Sequence, residues 1–283
     1  MSQVSQPLSP AGSLVGMRAI VTGASGGIGR QIAIALAAQG AAQIGVHYAA
    51  NAAAARQTAE QLEQLGCQAV LLQADFALEP QCEQLVHEAF ERVEQPTLWV
   101  HAAGADVLTG QATQWTFAEK LRRLVEVDLV GSITVARLVA ARLADLVAQT
   151  AETVADPTPA SLILIGWDQA TEGMEGDAGQ MFGPIKAGVE ALGKSLAQEF
   201  APRVRVNTIA PGWVRTAWGE SVSGYWDTRA RGQALMNRWG TGEDIAAAAV
   251  FLADRASSFI TGQTLAVNGG FNRRWQRDRN ASS

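Results

Sequence analysis

The chain has 283 residues, 48% of them hydrophobic, and a formal net charge of −5. That apolar content is ample for a sizeable core, and the acidic balance excludes a broad basic surface, so no nucleic acid is expected as a partner. Cys67 and Cys82 lack metal-ligand spacing and the three histidines are scattered, which argues against a disulfide framework and a zinc site.

No basic leader followed by an apolar run is visible, and no apolar run is long enough to span a bilayer. A soluble cytoplasmic protein without membrane contact is expected. Residues 1–14, rich in Ser, Gln and Pro, read as a disordered extension. Residues 15–271 read as one folded domain, and 272–283 as a polar, Arg-rich tail, solvated or in contact with another subunit.

Along the chain, apolar strands alternate with segments of helical periodicity. Strand 19–22 runs into the glycine turn Gly23-Ala24-Ser25-Gly26-Gly27-Ile28-Gly29 and a helix over 30–39. Strand 43–48 precedes helix 52–65, strand 69–74 precedes helix 80–93, and strand 98–101 precedes a long helix over 117–146. Strand 161–165 then leads to helix 185–200, strand 204–209 to helix 243–252, and strand 264–267 closes the series. Continuous apolar strands are buried on both faces, so the expected architecture is α/β: a doubly wound, seven-stranded parallel sheet with helices on either side.

Glycines 23, 27 and 29 lie between a strand and a helix, the layout of a phosphate cradle. Without Cβ atoms the backbone can approach a pyrophosphate, and the helix N-terminus supplies free N–H groups. An ordinary strand-to-helix turn shows the same local pattern, so context decides. The stretches 166–183 and 212–226 read as long irregular loops over the site, of the length used for lids. The first holds Asp168, Glu172, Glu175 and Asp177. Trp167, Trp213, Trp218 and Trp226 fall in the two loops, either stacking on a flat apolar substrate or filling core or interface.

Thr22-Gly23-Ala24-Ser25-Gly26-Gly27-Ile28-Gly29 resembles the TGxxxGxG fingerprint of short-chain dehydrogenases/reductases. Further matches follow in order: Asp75 after the third strand, His101-Ala102-Ala103-Gly104 for the NNAG turn, and Lys186-Ala187-Gly188-Val189 for the catalytic-helix segment. Arg205-Val206-Asn207-Thr208-Ile209-Ala210-Pro211-Gly212 is similar to the RVNxIxPG stretch, with Thr216 beyond it. Glu243-Asp244-Ile245-Ala246 and the segment from Thr261 through Gly270 resemble the closing motifs. The resemblance covers roughly residues 15–271. It implies a Rossmann-type domain, a nicotinamide dinucleotide, a small-molecule substrate, and a homotetramer or homodimer pairing through the 117–146 and 185–200 helices. The cofactor contacts it implies are Gly23, Ser25, Gly26, Gly27, Ile28, Gly29, Asp75, Phe76, Ala102, Ala103, Gly104, Lys186, Pro211, Gly212, Val214 and Thr216.

At the end of the second strand a carboxylate would bond the ribose 2′-hydroxyl and repel a 2′-phosphate. None is present, which favours NADP(H) over NAD(H), with His47, Tyr48 and Asn51 as neutral contacts. NAD(H) stays open, because no Arg or Lys stands at that strand end and Gly26 fills a position often held by Arg in NADP-preferring relatives.

The reaction centre departs from the family pattern. Phe182 stands four residues before Lys186, where the family has its proton-exchanging Tyr. Gly166 and Trp167 stand at the Ser-Ser position, and Asp128 at that of the helix Asn. A phenyl ring cannot exchange a proton. Candidates for catalysis are Lys186, Asp168, Asp128 and Tyr225. Three readings compete: an oxidoreductase with an altered proton donor, a catalytically silent dinucleotide-binding subunit or sensor, and a structural oligomer with a vestigial cradle.

Overall fold

A computed structural model describes residues 13–152, 158–216 and 224–275. The seven strands are β1 (Arg18–Thr22), β2 (Gln43–Tyr48), β3 (Gln68–Gln73), β4 (Leu98–His101), β5 (Ala160–Ile165), β6 (Val204–Pro211) and β7 (Thr264–Val267). They form one sheet in the order β3-β2-β1-β4-β5-β6-β7, every neighbouring pair parallel. The connections reverse direction between β1 and β4, so a crevice opens beyond the carboxyl ends of those two strands.

Helices α1 (Gly27–Ala38), α2 (Ala52–Gln64), α3 (Glu79–Arg92), α4 (Phe117–Leu124), α5 (Ser132–Ala151), α6 (Gln169–Glu172), α7 (Gly176–Phe200), α8 (Gly224–Gln233) and α9 (Gly242–Ala253) connect and flank the strands. The apolar runs divide by residue parity, as strand geometry requires. Ile20, Leu72, Trp99, Leu162 and Val206 pack with Leu85 of α3, Leu143 of α5 and Leu196 of α7. On the other face, Ala19, Val21, Ile44, Val100, Ile163 and Ile209 pack with Leu36 of α1, Leu62 of α2 and Leu252 of α9. A single continuous run therefore supplies two cores.

Three stretches differ from the sequence reading. The long helix expected over 117–146 is α4 and α5 joined by a wide i→i+5 turn, Val125–Gly131, and it runs on to Ala151. Gly131 sits where a Cβ would come 2.5 Å from the Phe76 carbonyl oxygen, so the chain needs glycine to pass there. Secondly, much of the expected 166–183 loop is helical: α6 occupies part of it, and α7 starts at Gly176 with Pro184 inside. Glycines and a proline made that segment read as loop. Thirdly, the expected 212–226 loop ends in α8, which begins at Gly224. Trp218 lies outside the described residues.

Candidate active site

The glycine turn is held from below. The Thr22 hydroxyl accepts hydrogen bonds from the Ala102 and Ala103 amides, both at 3.0 Å, clamping the ends of β1 and β4 together. A Cβ on Gly23 would stand 2.8 Å from Ala103 Cα, and one on Gly29 would stand 2.5 Å from the Gly23 carbonyl oxygen. Gly23 also has φ +67, a backbone region that favours glycine. By contrast, nothing lies within 4 Å of a Cβ at Gly26 or Gly27, so the turn faces open space on its outer side. Gly26 is the N-cap of α1 and offers no capping side chain, which leaves the first amides of the helix for an anion. Such a cradle fits a pyrophosphate.

At the adenosine end the geometry revises two expectations. The sequence suggests His47 as a neutral cofactor contact, but it is buried and both ring nitrogens are engaged: the Gly23 amide donates to Nδ1 at 3.1 Å, and Nε2 lies 3.1 Å from the Ala74 carbonyl. Burial lowers its pKa to about 4, so the ring is neutral and braces the glycine turn. Phe76 is likewise a core ring, stacked between His47 at 4.5 Å and His101 at 5.3 Å. Asn51 caps α2 through its side-chain oxygen, which accepts from the Ala54 amide at 3.0 Å, and the Tyr48 hydroxyl reaches Gln73 at 3.5 Å. Ser25 and Ile28 remain half-buried along the turn.

Two arginines went unnoticed in the sequence because neither belongs to a strand end. Arg30 donates to Thr58 Oγ1 at 2.9 Å and to the Ser25 and Ala54 carbonyls at 2.8 and 3.0 Å, tying the glycine turn to the start of α2. Arg123 of α4 places one guanidinium nitrogen 3.1 and 3.2 Å from the two Asp75 carboxylate oxygens.

The candidate catalytic residues Asp128 and Lys186 come from the wide turn and α7. Asp128 points inward from Val125–Gly131, and its Oδ2 lies 3.0 Å from Lys186 Nζ. Its Oδ1 accepts from the Ala105 amide at 2.7 Å, and a Cβ on Gly104 would come 2.8 Å from Oδ2. The pair therefore fills the space beneath the turn after β4. Phe182 lies one helical turn before Lys186 and meets Trp167 edge-on, ring centroids 6.1 Å apart.

Asp168 and Glu190 add acidity behind Trp167. Glu190 Oε1 accepts from the Trp167 amide at 3.3 Å, and burial raises the Glu190 pKa. Asp168 lies against the turn after β6, where its amide donates to the Pro211 carbonyl at 3.0 Å and its Oδ2 accepts from Asn268 Nδ2 at 3.0 Å. Gly212 permits that approach, since a Cβ there would be 2.6 Å from Asn268 Cβ. Val214 and Thr216 continue from it, the Thr216 amide donating to the Val214 carbonyl at 2.9 Å.

Tyr225, a candidate proton donor, lies in an aromatic cage. Its hydroxyl is 3.4 Å from Arg229 Nη1. The buried Arg229 guanidinium lies 5.4 to 5.7 Å from the rings of Trp213, Trp226 and Trp275 and donates to both oxygens of Glu175, at 2.7 and 2.9 Å. A cavity of about 350 Å³ lies between α6 and α7, lined by Gln169, Met174, Gly183, Pro184 and Ala187 among others. Neither Lys186 nor Phe182 lines it.

Among the described residues no group of His, Cys, Asp and Glu could hold a metal ion, and no helix is long and apolar enough to cross a membrane. A family model described as enoyl-(acyl carrier protein) reductase matches residues 23–272. The chain is 30% identical over 260 residues to 3beta-hydroxysteroid dehydrogenase 1 of Eggerthella lenta, covering 91% of this chain and 94% of that protein. Among solved structures it is similar to a 7 alpha-hydroxysteroid dehydrogenase complexed with NADH and 7-oxo glycochenodeoxycholic acid. The TM-score is 0.80 at 27% identity, with 95% of this chain and 100% of that one covered. A short-chain dehydrogenase from Burkholderia cenocepacia J2315 in complex with NADP gives a TM-score of 0.77 at 25% identity, with 91% and 98% covered.

Proposed function

The chain belongs to the short-chain dehydrogenase/reductase family of oxidoreductases, and from that premise we propose that it uses NADP(H) to reduce a carbonyl or activated double bond of a small molecule. The bound dinucleotide supplies the hydride. Gly23, Ser25, Gly26, Gly27, Ile28 and Gly29 hold its pyrophosphate. Asp75 takes the adenine, with Ala102, Ala103 and Gly104 flooring the crevice. Lys186 holds the nicotinamide ribose, while Pro211, Gly212, Val214 and Thr216 line the nicotinamide. NADP(H) is favoured over NAD(H) by the absence of an acid at the end of β2 and by the positive charge of Arg30 beside Ser25. The protein works in the cytoplasm as a homodimer or homotetramer.

The observation that carries this reading is the Lys186–Asp128 pair at 3.0 Å beneath the Gly104 turn. A largely buried pair of this kind fixes the lysine side chain in place, which suits a ribose-holding group. Phe182, one turn away, implies that the proton comes from elsewhere. The packing of Trp167 on Phe182 also favours a second reading, a silent dinucleotide-binding subunit, because two apolar rings stand where the family exchanges protons.

Titrating NADPH and NADH against intrinsic tryptophan fluorescence tests the cradle, with tighter quenching by NADPH expected. No response to either nucleotide sinks both readings. A panel of carbonyl, imine and activated-alkene acceptors, followed by nicotinamide absorbance, then tests chemistry. Lys186→Ala is expected to lower turnover by about a hundredfold or more. Binding without turnover across the panel would favour the silent subunit. Light scattering tests the assembly, a monomer being the contrary result.

A further inference from the structure

At the end of β5 the chain places two consecutive buried polar side chains, Asp168 and Gln169, 6% and 2% exposed. Asp168 Oδ1 and Gln169 Oε1 have no hydrogen-bond partner among the described residues. The other Asp168 oxygen is held by Asn268, which follows β7, and the Asp168 amide is held by Pro211 at the end of β6. The carboxyl thus sits where the ends of β5, β6 and β7 converge, on the side of the sheet where ligands of such folds bind. Burial pushes its pKa up to about 6 against the downward pull of hydrogen bonds from Asn268 and the Gln169 backbone, and the charged groups facing it, Glu172 of α6 and Glu190 of α7, push upward. The carboxyl therefore keeps its proton to a higher pH than an ordinary Asp, as suits a general acid.

Of the other candidates, the Lys186 ammonium is paired with Asp128, the Tyr225 hydroxyl accepts from Arg229 within the aromatic cage, and Phe182 has no proton to give. We propose that Asp168 is the general acid of this site, with Asn268 as its positioning residue, an inference that rests on the reductase reading above. In the step, the reduced nicotinamide dinucleotide is the reductant and leaves in its oxidised form. The acceptor carbon of a C=O or neutral C=N bond gains the hydride, and its oxygen or nitrogen takes the proton from Asp168. The carboxylate left behind is reprotonated by solvent.

The test uses two acceptors that differ in one requirement. Benzil needs a hydride and a proton, whereas an N-methyl-dihydroisoquinolinium cation needs the hydride alone. Asp168→Asn is expected to lower benzil turnover by about 10²–10⁴-fold while leaving iminium turnover within about twofold. It is also expected to abolish the fall in benzil turnover as pH rises through about 6. Equal loss on both acceptors, or no loss on benzil, overturns the assignment, as does a wild-type protein that reduces only the cation. If only benzil turns over, a high-pH fall that persists in Asp168→Asn overturns it. A wild-type protein that binds NADPH and reduces neither acceptor instead removes the reductase reading, and this inference with it.

Discussion

A carboxyl whose folded pKa stands near 6, against an ordinary 3.8, holds its proton more tightly in the folded chain than in the unfolded one. Well below pH 4 both states are protonated and Asp168 is neutral in its effect. Between about pH 4 and 6 the unfolded chain ionises while the folded one keeps its proton, so stability falls by at most about 3 kcal/mol and stays lowered above about 6. Asp168→Asn is therefore expected to melt higher than wild type at pH 7 to 8 and at the same temperature near pH 3.5, by differential scanning fluorimetry. A variant less stable at both pH values contradicts this account. The expected gain means that lost turnover in Asp168→Asn cannot be put down to unfolding. An acid kept at such a cost fits a residue held for chemistry rather than for packing.

Among the elements, the inner strands were legible because burial on both faces leaves an uninterrupted apolar run, and the observed bounds of β2, β4 and the more exposed edge strand β7 coincide with the sequence reading. The helices were less so, for identifiable reasons. Nothing in the apolar period marks the wide turn at Val125–Gly131, although it aims Asp128 at Lys186. Helix α8 reads as polar, with no apolar stripe, because a buried arginine and tryptophan rings hold it in place of aliphatic side chains. Motif matching located the glycines of the turn between β1 and α1, but it could not show His47 turned inward, Arg30 bracing the turn, or Asn268 reaching Asp168 across one hundred residues of chain. Those pairings exist only in the folded sheet. The wide turn can be tested by Gly131→Ala, which drives a Cβ into the Phe76 carbonyl. A loss of about 1–3 kcal/mol in urea denaturation is expected, together with weaker NADPH binding as Asp128 moves off Lys186. Unchanged stability would mean that the turn can straighten freely.

On the scale of the whole molecule, α8, Trp213 and the last described residues are gathered around one cation. Arg229 joins α8 to Glu175 in the link between α6 and α7, to Trp213 just beyond the Pro211–Gly212 turn, and to Trp275. Residues 272–275, read from the sequence as part of a polar tail, are thus packed onto the body. The Asn272 amide donates to Gln233 at 2.7 Å, and its side chain donates to the Gly232 carbonyl at 2.8 Å. Arg229→Lys keeps the charge but loses the planar group that stacks on indoles and grips a carboxylate with two bonds. A loss of about 2 kcal/mol is expected by chemical denaturation, with faster proteolysis around α8. Wild-type stability in this variant would show the cage to be incidental.

The cage also sets an order of events during synthesis. β1 is central in the sheet, and β2 and β3 join it on one side with short connections, so the adenosine half has its partners soon after they leave the ribosome. The third indole of the Arg229 cage comes from Trp275, later in the chain than every strand. A nascent chain therefore has the strands flanking its glycine turn well before the residue that completes the Arg229 cage is made.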